Sequence, residues 1–137
     1  MLVIDSFIAL SWLFQRVKAD EVTLAEKALQ ALTADGAVVP TLWHTEIANG
    51  LLAAERRKVV TEAQTFDYLG RLSRLPIGTD DVPVPARREI VMSLAREYSL
   101  TARNATYLDL TLRFGARLAS FDAALIAAVH GAGGEIL

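Results

Sequence analysis

The sequence predicts an α/β fold in three layers, with a mainly parallel central sheet of about four to five strands between two layers of helices. Short apolar segments typical of buried strands alternate along the chain with longer amphipathic segments typical of helices. This alternation is characteristic of parallel strands joined by right-handed crossovers. At 137 residues, 53% of them apolar, the chain is long enough for one globular domain, residues 1–137, with helices on both faces of the sheet.

The first predicted strand, residues 2–4, runs directly into Asp5 without a turn residue between them. A run of branched apolar residues is typical of a buried parallel strand, and Asp5 then lies at its carboxyl end. Open α/β sheets bind ligands outside the carboxyl ends of their strands, so Asp5 is the first candidate functional residue. The alternative is that Asp5 or Ser6 caps the next helix, which is predicted over residues 7–15.

A second helix is predicted over residues 20–35, where apolar residues recur every three or four positions before Gly36. A short buried strand follows at residues 37–39, and Thr41 is the expected cap of a helix that runs to about residue 57. Glu46 falls in the second turn of that helix. It either complements the positive end of the helix dipole or, since its neighbours are largely apolar, serves a function at the sheet edge.

The second half of the chain carries clear helix start and stop signals. Thr61 and Gln64 form a capping box, Pro85 suits a first helical turn, Thr101 is a further cap and Gly115 a helix stop. The remaining predicted elements are a helix after Thr61, a short strand at 75–77, a loop at 80–85, helices over 86–98 and 102–114, a strand at 117–120, a helix over 123–130 and a strand at 135–137.

Asp122 repeats the opening pattern, because it follows the strand predicted at residues 117–120. Asp5, Glu46 and Asp122 each follow a strand, so three acids can converge on one edge of a parallel sheet. Clusters of carboxylate oxygens suit the hard cations Mg²⁺ and Mn²⁺, which bind them directly or through water. A zinc site does not fit, since the chain has no cysteine and its two histidines are isolated.

Four segments carry a family resemblance: VIDS at residues 3–6, PTLWHTEIAN at 40–49, LTARNATYL at 100–108 and LASFD at 118–122. In order, spacing and flanking residues they resemble the PIN-domain ribonucleases, and within these the VapC toxins of bacterial toxin–antitoxin pairs. The resemblance covers nearly the whole chain. It implies a PIN-like three-layer fold, hydrolysis of RNA phosphodiesters that depends on Mg²⁺ or Mn²⁺, a toxin homodimer, and a cognate antitoxin that blocks the site.

The same resemblance assigns roles to single residues. It places catalytic, metal-holding acids at Asp5, Glu46 and Asp122, and supporting hydrogen-bonding residues at Ser120 and Asn49. A fourth catalytic position falls on Asn104, where the family pattern has an aspartate. Asparagine offers a metal a neutral carbonyl oxygen but one negative charge less, so we expect a weakened metal site.

Asp109 is not expected to replace the missing acid. Five residues along a helix rotate by roughly 500°, which puts Asp109 on a different face from Asn104. An exposed i,i+4 pair with Arg113 is the expected role of Asp109.

Contacts with RNA are indicated only by single basic residues. The net charge of −2 gives no long-range attraction for a polyanion, so RNA binding must rest on local basic patches. Five residues are candidates for following the RNA backbone, although each alone is also typical of a surface charge. They are Arg16, Lys18, Arg56, Arg57 and Arg103.

The chain is expected in the cytoplasm, because it has no cysteine, no apolar run of membrane-spanning length and no signal-peptide pattern at its start. Two other enzyme classes fit less well. A receiver domain needs a lysine after a late strand, and the second half has none; an aspartate-nucleophile phosphatase needs an acid where Phe7 stands. The alternative that stays open is a PIN-fold module, impaired as a catalyst by Asn104, that acts by binding its antitoxin or RNA.

Overall fold

The computed structural model describes residues 1–14 and 16–137, and within those ranges it contains five strands and seven helices. The strands are β1 (Leu2–Ile4), β2 (Ala37–Val39), β3 (Ile77–Thr79), β4 (Arg117–Ala119) and β5 (Glu135–Ile136). The helices are α1 (Ser6–Leu10), α2 (Ala19–Asp35), α3 (Thr41–Arg56), α4 (Glu62–Leu72), α5 (Val84–Tyr98), α6 (Ala102–Phe114) and α7 (Ala123–Gly131). None of these helices combines the length and apolarity needed to cross a membrane, as far as the described ranges extend.

All neighbouring strands of the sheet are parallel, in the order β3-β2-β1-β4-β5. Val3 of the central strand lies opposite Val38 on one side and Leu118 on the other. Every residue of β1 is fully buried, as expected for a strand covered by helices on both faces. The carboxyl ends of the strands therefore meet along one edge, with Asp5 at the middle of it.

The helices form two groups that cover the sheet. α1 packs against α2 and α3, and α4 joins them through Tyr68, whose hydroxyl donates to the Ala9 carbonyl (2.7 Å). α6 packs against α5 and α7, while α2 and α6 each contact β1. Since right-handed crossovers put these groups on opposite faces, the predicted α/β/α fold is confirmed. The two groups meet over the carboxyl edge, where Tyr107 of α6 donates a hydrogen bond to Glu46 of α3.

Several element boundaries differ from the prediction. α1 ends at Leu10 rather than Gln15; residues 11–13 continue as a turn, and Gln15 lies outside the described residues. The strand predicted at 75–77 is found at 77–79, because the Leu75 amide still bonds to the Leu72 carbonyl and so prolongs the turn after α4. α5 begins at Val84, ahead of the predicted start at residue 86, with a proline in its first turn.

Asp109 is buried, not exposed as predicted. The expected i,i+4 bond from Arg113 is present (3.2 Å), but α5 packs over this face of α6 and adds a bidentate bond from Arg87 (3.0 and 2.6 Å). Arg113 also pairs with Asp80 (2.6 Å), which follows β3. Burial acts to raise the pKa of Asp80, but Arg113, the Val82 amide and the charge of Arg87 together lower it. Two acids and two arginines thus join β3, α5 and α6.

Removing Asp109 should cost far more stability than removing an exposed partner. We expect Asp109→Ala to lower the free energy of unfolding by about 2–4 kcal/mol, since it leaves Arg87 without its acid and Arg113 with Asp80 alone. The control is Asp67→Ala, which breaks an exposed i,i+4 pair with Arg71 and should cost less than about 0.5 kcal/mol. Urea denaturation of the three proteins measures both values; equal losses for the two variants would contradict the prediction.

Candidate functional site

Asp5 and Asp122 occupy similar positions in the fold. Asp5 directly follows β1 and precedes α1, and Asp122 follows β4 by three residues and precedes α7. One carboxylate oxygen of Asp5 accepts from the Ile8 amide (2.9 Å), and one of Asp122 accepts from the Leu125 amide (3.0 Å). Both acids are therefore helix caps, as the alternative interpretation of Asp5 proposed. Capping uses one oxygen of each carboxylate, and the second oxygen accepts a further hydrogen bond, from Ser120 at Asp5 and from Asn104 at Asp122.

Ser120 ties the two aspartates together. Its hydroxyl donates to the second oxygen of Asp5 (2.5 Å) and accepts from the Asp122 amide (3.0 Å). Ser120 is itself buried, at the end of β4 beside β1. The hydroxyl that the sequence placed two residues before Asp122 thus sets the position of the Asp5 carboxylate.

The charge of Asp5 is poorly compensated. Its side chain is nine-tenths buried or more, and burial raises its pKa against the lowering effects of the Ser120 bond, the Ile8 amide and the charge of Arg103. Within residues 1–14 and 16–137, no basic side chain forms a salt bridge with it. Buried carboxylates are normally paired with a cation or bound to a metal, so Asp5 lacks a partner that its position calls for.

Glu46 reaches the same edge from α3, but its carboxylate is already engaged. One oxygen accepts from the Tyr107 hydroxyl (2.7 Å), and the other accepts from Nε of Arg103 in a salt bridge. Burial raises the pKa of Tyr107, and the bond to Glu46 adds to that effect, so Tyr107 remains a proton donor. For Arg103, burial opposes the charged form but the attraction of Glu46 outweighs it and raises the pKa.

Asn104 links this ion pair to Asp122. Its amide oxygen accepts from Arg103 (2.8 Å), and its amide nitrogen donates to the second oxygen of Asp122 (3.2 Å). Its backbone amide bonds to the Thr101 hydroxyl, the cap of α6, which sets the place of Asn104 in the first helical turn. The pKa of Asp122 is lowered, mainly by the Leu125 amide, which together with the bond from Asn104 outweighs the opposing effect of burial.

The structure brings five of the six predicted catalytic and supporting residues into one hydrogen-bond network: Asp5, Ser120, Asp122, Asn104 and Glu46. Asn49 lies outside the network, exposed on α3 one turn after Glu46. The carboxylates do not converge on a single point: in the described part of the chain, no three acidic or histidine side chains are close enough together to hold one metal ion. Arg103 bonds to Glu46, Asn104 and Ser6 in the same region.

The five basic residues proposed to follow RNA fall into different surroundings. Arg103 is bound to Glu46 within the network instead of lying free on the surface, because the first turn of α6 faces α3 across the sheet edge. Arg16 pairs with Glu21 (2.5 Å) and lies over the ring of Phe121 (4.5 Å from Cζ to the centroid). The other three are exposed: Lys18, Arg56 and Arg57.

A groove of about 430 Å³ begins at Glu46 and runs between α1 and α3. Arg16, Asn49 and Arg57 line it together with Phe7 and several apolar residues. Polar groups therefore border a partly apolar channel next to the network.

Two members of the network, Tyr107 and Ser6, were not predicted from the sequence. Tyr107 lies three residues after Asn104, and this spacing puts both side chains on the same face of α6. Ser6 accepts from Arg103 (3.4 Å) and directly follows Asp5. Helical spacing was thus a usable signal for Tyr107, whereas the contact of Ser6 depends on how α1 and α6 come together.

The donor set fits a hard divalent cation in chemical type. It consists of carboxylate, amide and hydroxyl oxygens, the ligands that Mg²⁺ and Mn²⁺ prefer. Ser120 bonds to both Asp5 and Asp122, and Asp5 has no salt bridge among residues 1–14 and 16–137. These two aspartates are the residues best placed to hold one, whereas Glu46 would have to give up Arg103 first.

Replacing Asp5 or Asp122 by asparagine should change the melting temperature in opposite directions. Because the pKa of Asp5 is raised on folding, its contribution to stability is fully present below its ordinary pKa of 3.8 and is lost as pH rises through the raised value. Asp5→Asn should therefore raise the melting temperature in chelator at pH 7, by an amount that shrinks as pH falls toward 3.8. Asp122 has a lowered pKa, so its contribution is present at neutral pH and is lost on acidification.

Asp122→Asn is the matched control, and it should lower the melting temperature at pH 7. Thermal melts of the three proteins between pH 4 and pH 8, in chelator, measure both differences. A loss of stability at pH 7 in Asp5→Asn as large as that in Asp122→Asn would show that burial does not dominate the energetics of Asp5.

Comparisons with known proteins bear on the fold. No family model matches the chain, and no curated protein matches it. Among solved structures the chain is similar to "Crystal structure of PAE2754 from Pyrobaculum aerophilum", with a TM-score of 0.63 and 21% sequence identity. The match covers 93% of this chain and 78% of that chain. At this identity the likeness supports the three-layer fold and carries no conclusion about activity.

Proposed function

We propose that the chain is a Mg²⁺- or Mn²⁺-dependent endoribonuclease of PIN-domain type, acting as the toxin of a type II toxin–antitoxin pair in the cytoplasm. The observation that carries the proposal is the Asp5 carboxylate. It is buried at the carboxyl end of the central strand, has no salt bridge among the described residues, and is tied through Ser120 to Asp122. A divalent cation bound there would supply the missing positive charge.

The cation would activate a water molecule for attack on an RNA phosphodiester and offset charge on the phosphate. Asp5 and Asp122 would hold it, with Ser120 keeping the Asp5 carboxylate in place. Asn104 would keep the second oxygen of Asp122 oriented through its amide nitrogen. Glu46 faces the same edge and would orient water, while Tyr107 keeps one of its oxygens in position.

The groove beside Glu46 is where an extended RNA substrate would bind. Arg57 is exposed at its wall, and Asn49 adds a polar side chain one turn from Glu46. Phosphate contacts from a few basic residues give binding without a strong net charge, which agrees with the overall charge of −2. An exposed ring at Phe7 offers a surface on which an unpaired base can stack.

One further observation favours a second candidate function. Arg103 neutralises Glu46, and Asn104 brings no charge, so the network holds less negative charge than four acids would. A module of the same fold that binds its antitoxin or RNA without cleaving it would tolerate both features. Cleavage assays separate the two functions.

We expect cleavage of RNA by the wild-type protein with Mn²⁺, none with chelator, and none from Asp5→Ala. Asn104→Asp should cleave faster, because it adds a carboxylate next to Asp122 that strengthens cation binding. Without metal the same change removes the amide donor to Asp122 and adds like-charge repulsion, so it should lower the melting temperature. With Mn²⁺ it should gain more stability than the wild type, since a ligand of the folded state stabilises it.

The measurements are cleavage of a single-stranded RNA and melting temperature, each with Mn²⁺ and with chelator. Equal activity of wild type and Asn104→Asp, lost in Asp5→Ala, would show that the asparagine is no defect. Activity in neither protein would favour the binding module. Residual activity in Asp5→Ala would remove Asp5 from the mechanism.

The proposed toxin would also form a homodimer and bind a cognate antitoxin. Exposed apolar side chains on α3, α4 and the segment between them leave a surface that a partner could cover: Leu52, Val59, Phe66 and Leu69. Size-exclusion chromatography with light scattering should give the mass of a dimer at tens of micromolar. A monomer at that concentration, both alone and with the product of the neighbouring gene, would contradict this part of the proposal.

A further inference from the structure

Arg103 is the cation of the acidic edge, and it is held by three different helices. Its guanidinium donates to Glu46 of α3, to the Asn104 amide oxygen of α6 (2.8 Å) and to the Ser6 hydroxyl of α1 (3.4 Å). Its side chain is 28% exposed and that of Glu46 is 23% exposed, so the pair is largely shielded from solvent. A fixed positive charge therefore faces the acids that the proposed metal site would use.

We propose that Arg103 is a built-in counter-ion that competes with the divalent cation for Glu46, so that full metal binding requires Arg103 to leave this carboxylate. The inference rests on the metal site of the proposed function. It assigns Arg103 the role of a positioning residue that sets metal affinity. This differs from the surface contact with RNA that its sequence alone suggested.

Both carboxylate oxygens of Glu46 already accept a hydrogen bond. Tyr107 donates to one of them and the charged Arg103 to the other, so a cation that binds Glu46 must compete with a salt bridge, which it does not meet at Asp5 or Asp122 among the described residues. The charge of Arg103 also acts on the two aspartates. Arg103 bonds to Asn104, which bonds to Asp122, and to Ser6, which adjoins Asp5. A divalent cation held by the two aspartates would lie close to the guanidinium and be repelled by it.

Two aromatic rings also contact Arg103. Its Cζ lies 5.4 Å from the ring centroid of Phe7 and 5.0 Å from that of Tyr107. Both rings attract a guanidinium without a carboxylate, and Phe7 is more than half exposed along the groove. These contacts do not involve Glu46, so they would still stabilise the guanidinium near the rings if a metal ion displaced it from this carboxylate.

The first test compares Mn²⁺ affinity in two variants that each remove one arginine. Arg103→Gln should bind Mn²⁺ at least about tenfold more tightly than wild type, because a nearby positive charge is gone. Arg87→Gln is the matched control: Arg87 is 26% exposed and also pairs with a buried acid, but away from the network. It should change affinity by less than about twofold. Isothermal titration with MnCl₂ measures both. Equal or weaker binding by Arg103→Gln would overturn the proposal.

The second test needs no substitution that removes charge. In chelator, the Nε–H signal of Arg103 in a ¹H–¹⁵N NMR spectrum should report the hydrogen bond to Glu46. Saturation with diamagnetic Mg²⁺ should shift that signal and speed its exchange with water, while the signal of Arg87 stays in place. Arg103→Lys, which keeps the charge but loses the Nε donor, assigns the peak. Binding of Mg²⁺ with an unchanged Arg103 signal would overturn the proposal.

These outcomes are separable from those of the nuclease proposal. Tighter Mn²⁺ binding by Arg103→Gln without any RNA cleavage would support the competition and refute the nuclease. Metal-dependent cleavage by the wild type, with the same Mn²⁺ affinity in Arg103→Gln, would support the nuclease and refute the competition. Absence of Mn²⁺ binding in both proteins would refute the competition together with the metal site.

Discussion

The burial of one carboxylate, that of Asp5, is the constraint around which the carboxyl edge is arranged. β1 is the central strand and is covered on both faces, so the residue that follows it leaves the sheet inside the protein. A charge in that position costs free energy unless hydrogen bonds and a cation offset the loss of water. The Ile8 amide and the Ser120 hydroxyl supply the hydrogen bonds, and the raised pKa shows that they do not offset the whole cost.

Glu46 has the opposite arrangement, because its charge is fully matched within the chain. Arg103 and Tyr107 both come from α6 and both bind Glu46 of α3, so this carboxylate joins the two helical layers above the sheet. The edge therefore contains one acid with an internal cation and one without. In the proposed function, a divalent ion would balance the charge of Asp5, while Arg103 already balances that of Glu46.

The parts of the site that the sequence could predict depend on short segments. Asp5 and Asp122 each follow a strand closely. Parallel strands have their carboxyl ends at one edge of the sheet, and this does not depend on how the helices pack. The salt bridge of Glu46 with Arg103 joins residues 57 apart and depends on how two helical layers meet, which no local pattern records. The burial of Asp109 was missed for the same reason, because it is α5 that covers that face of α6. Boundaries such as the end of α1 at Leu10 depend on packing as well.

The most direct test of the central claim, that this edge holds a divalent cation, is a crystal structure of the wild-type protein soaked in MnCl₂, with an anomalous difference map. We predict one peak bonded to carboxylate oxygens of Asp5 and Asp122 at about 2–2.3 Å, with the guanidinium of Arg103 moved away from Glu46. At saturating Mn²⁺, a map without a peak beside Asp5, in which Arg103 still binds Glu46, would contradict the claim.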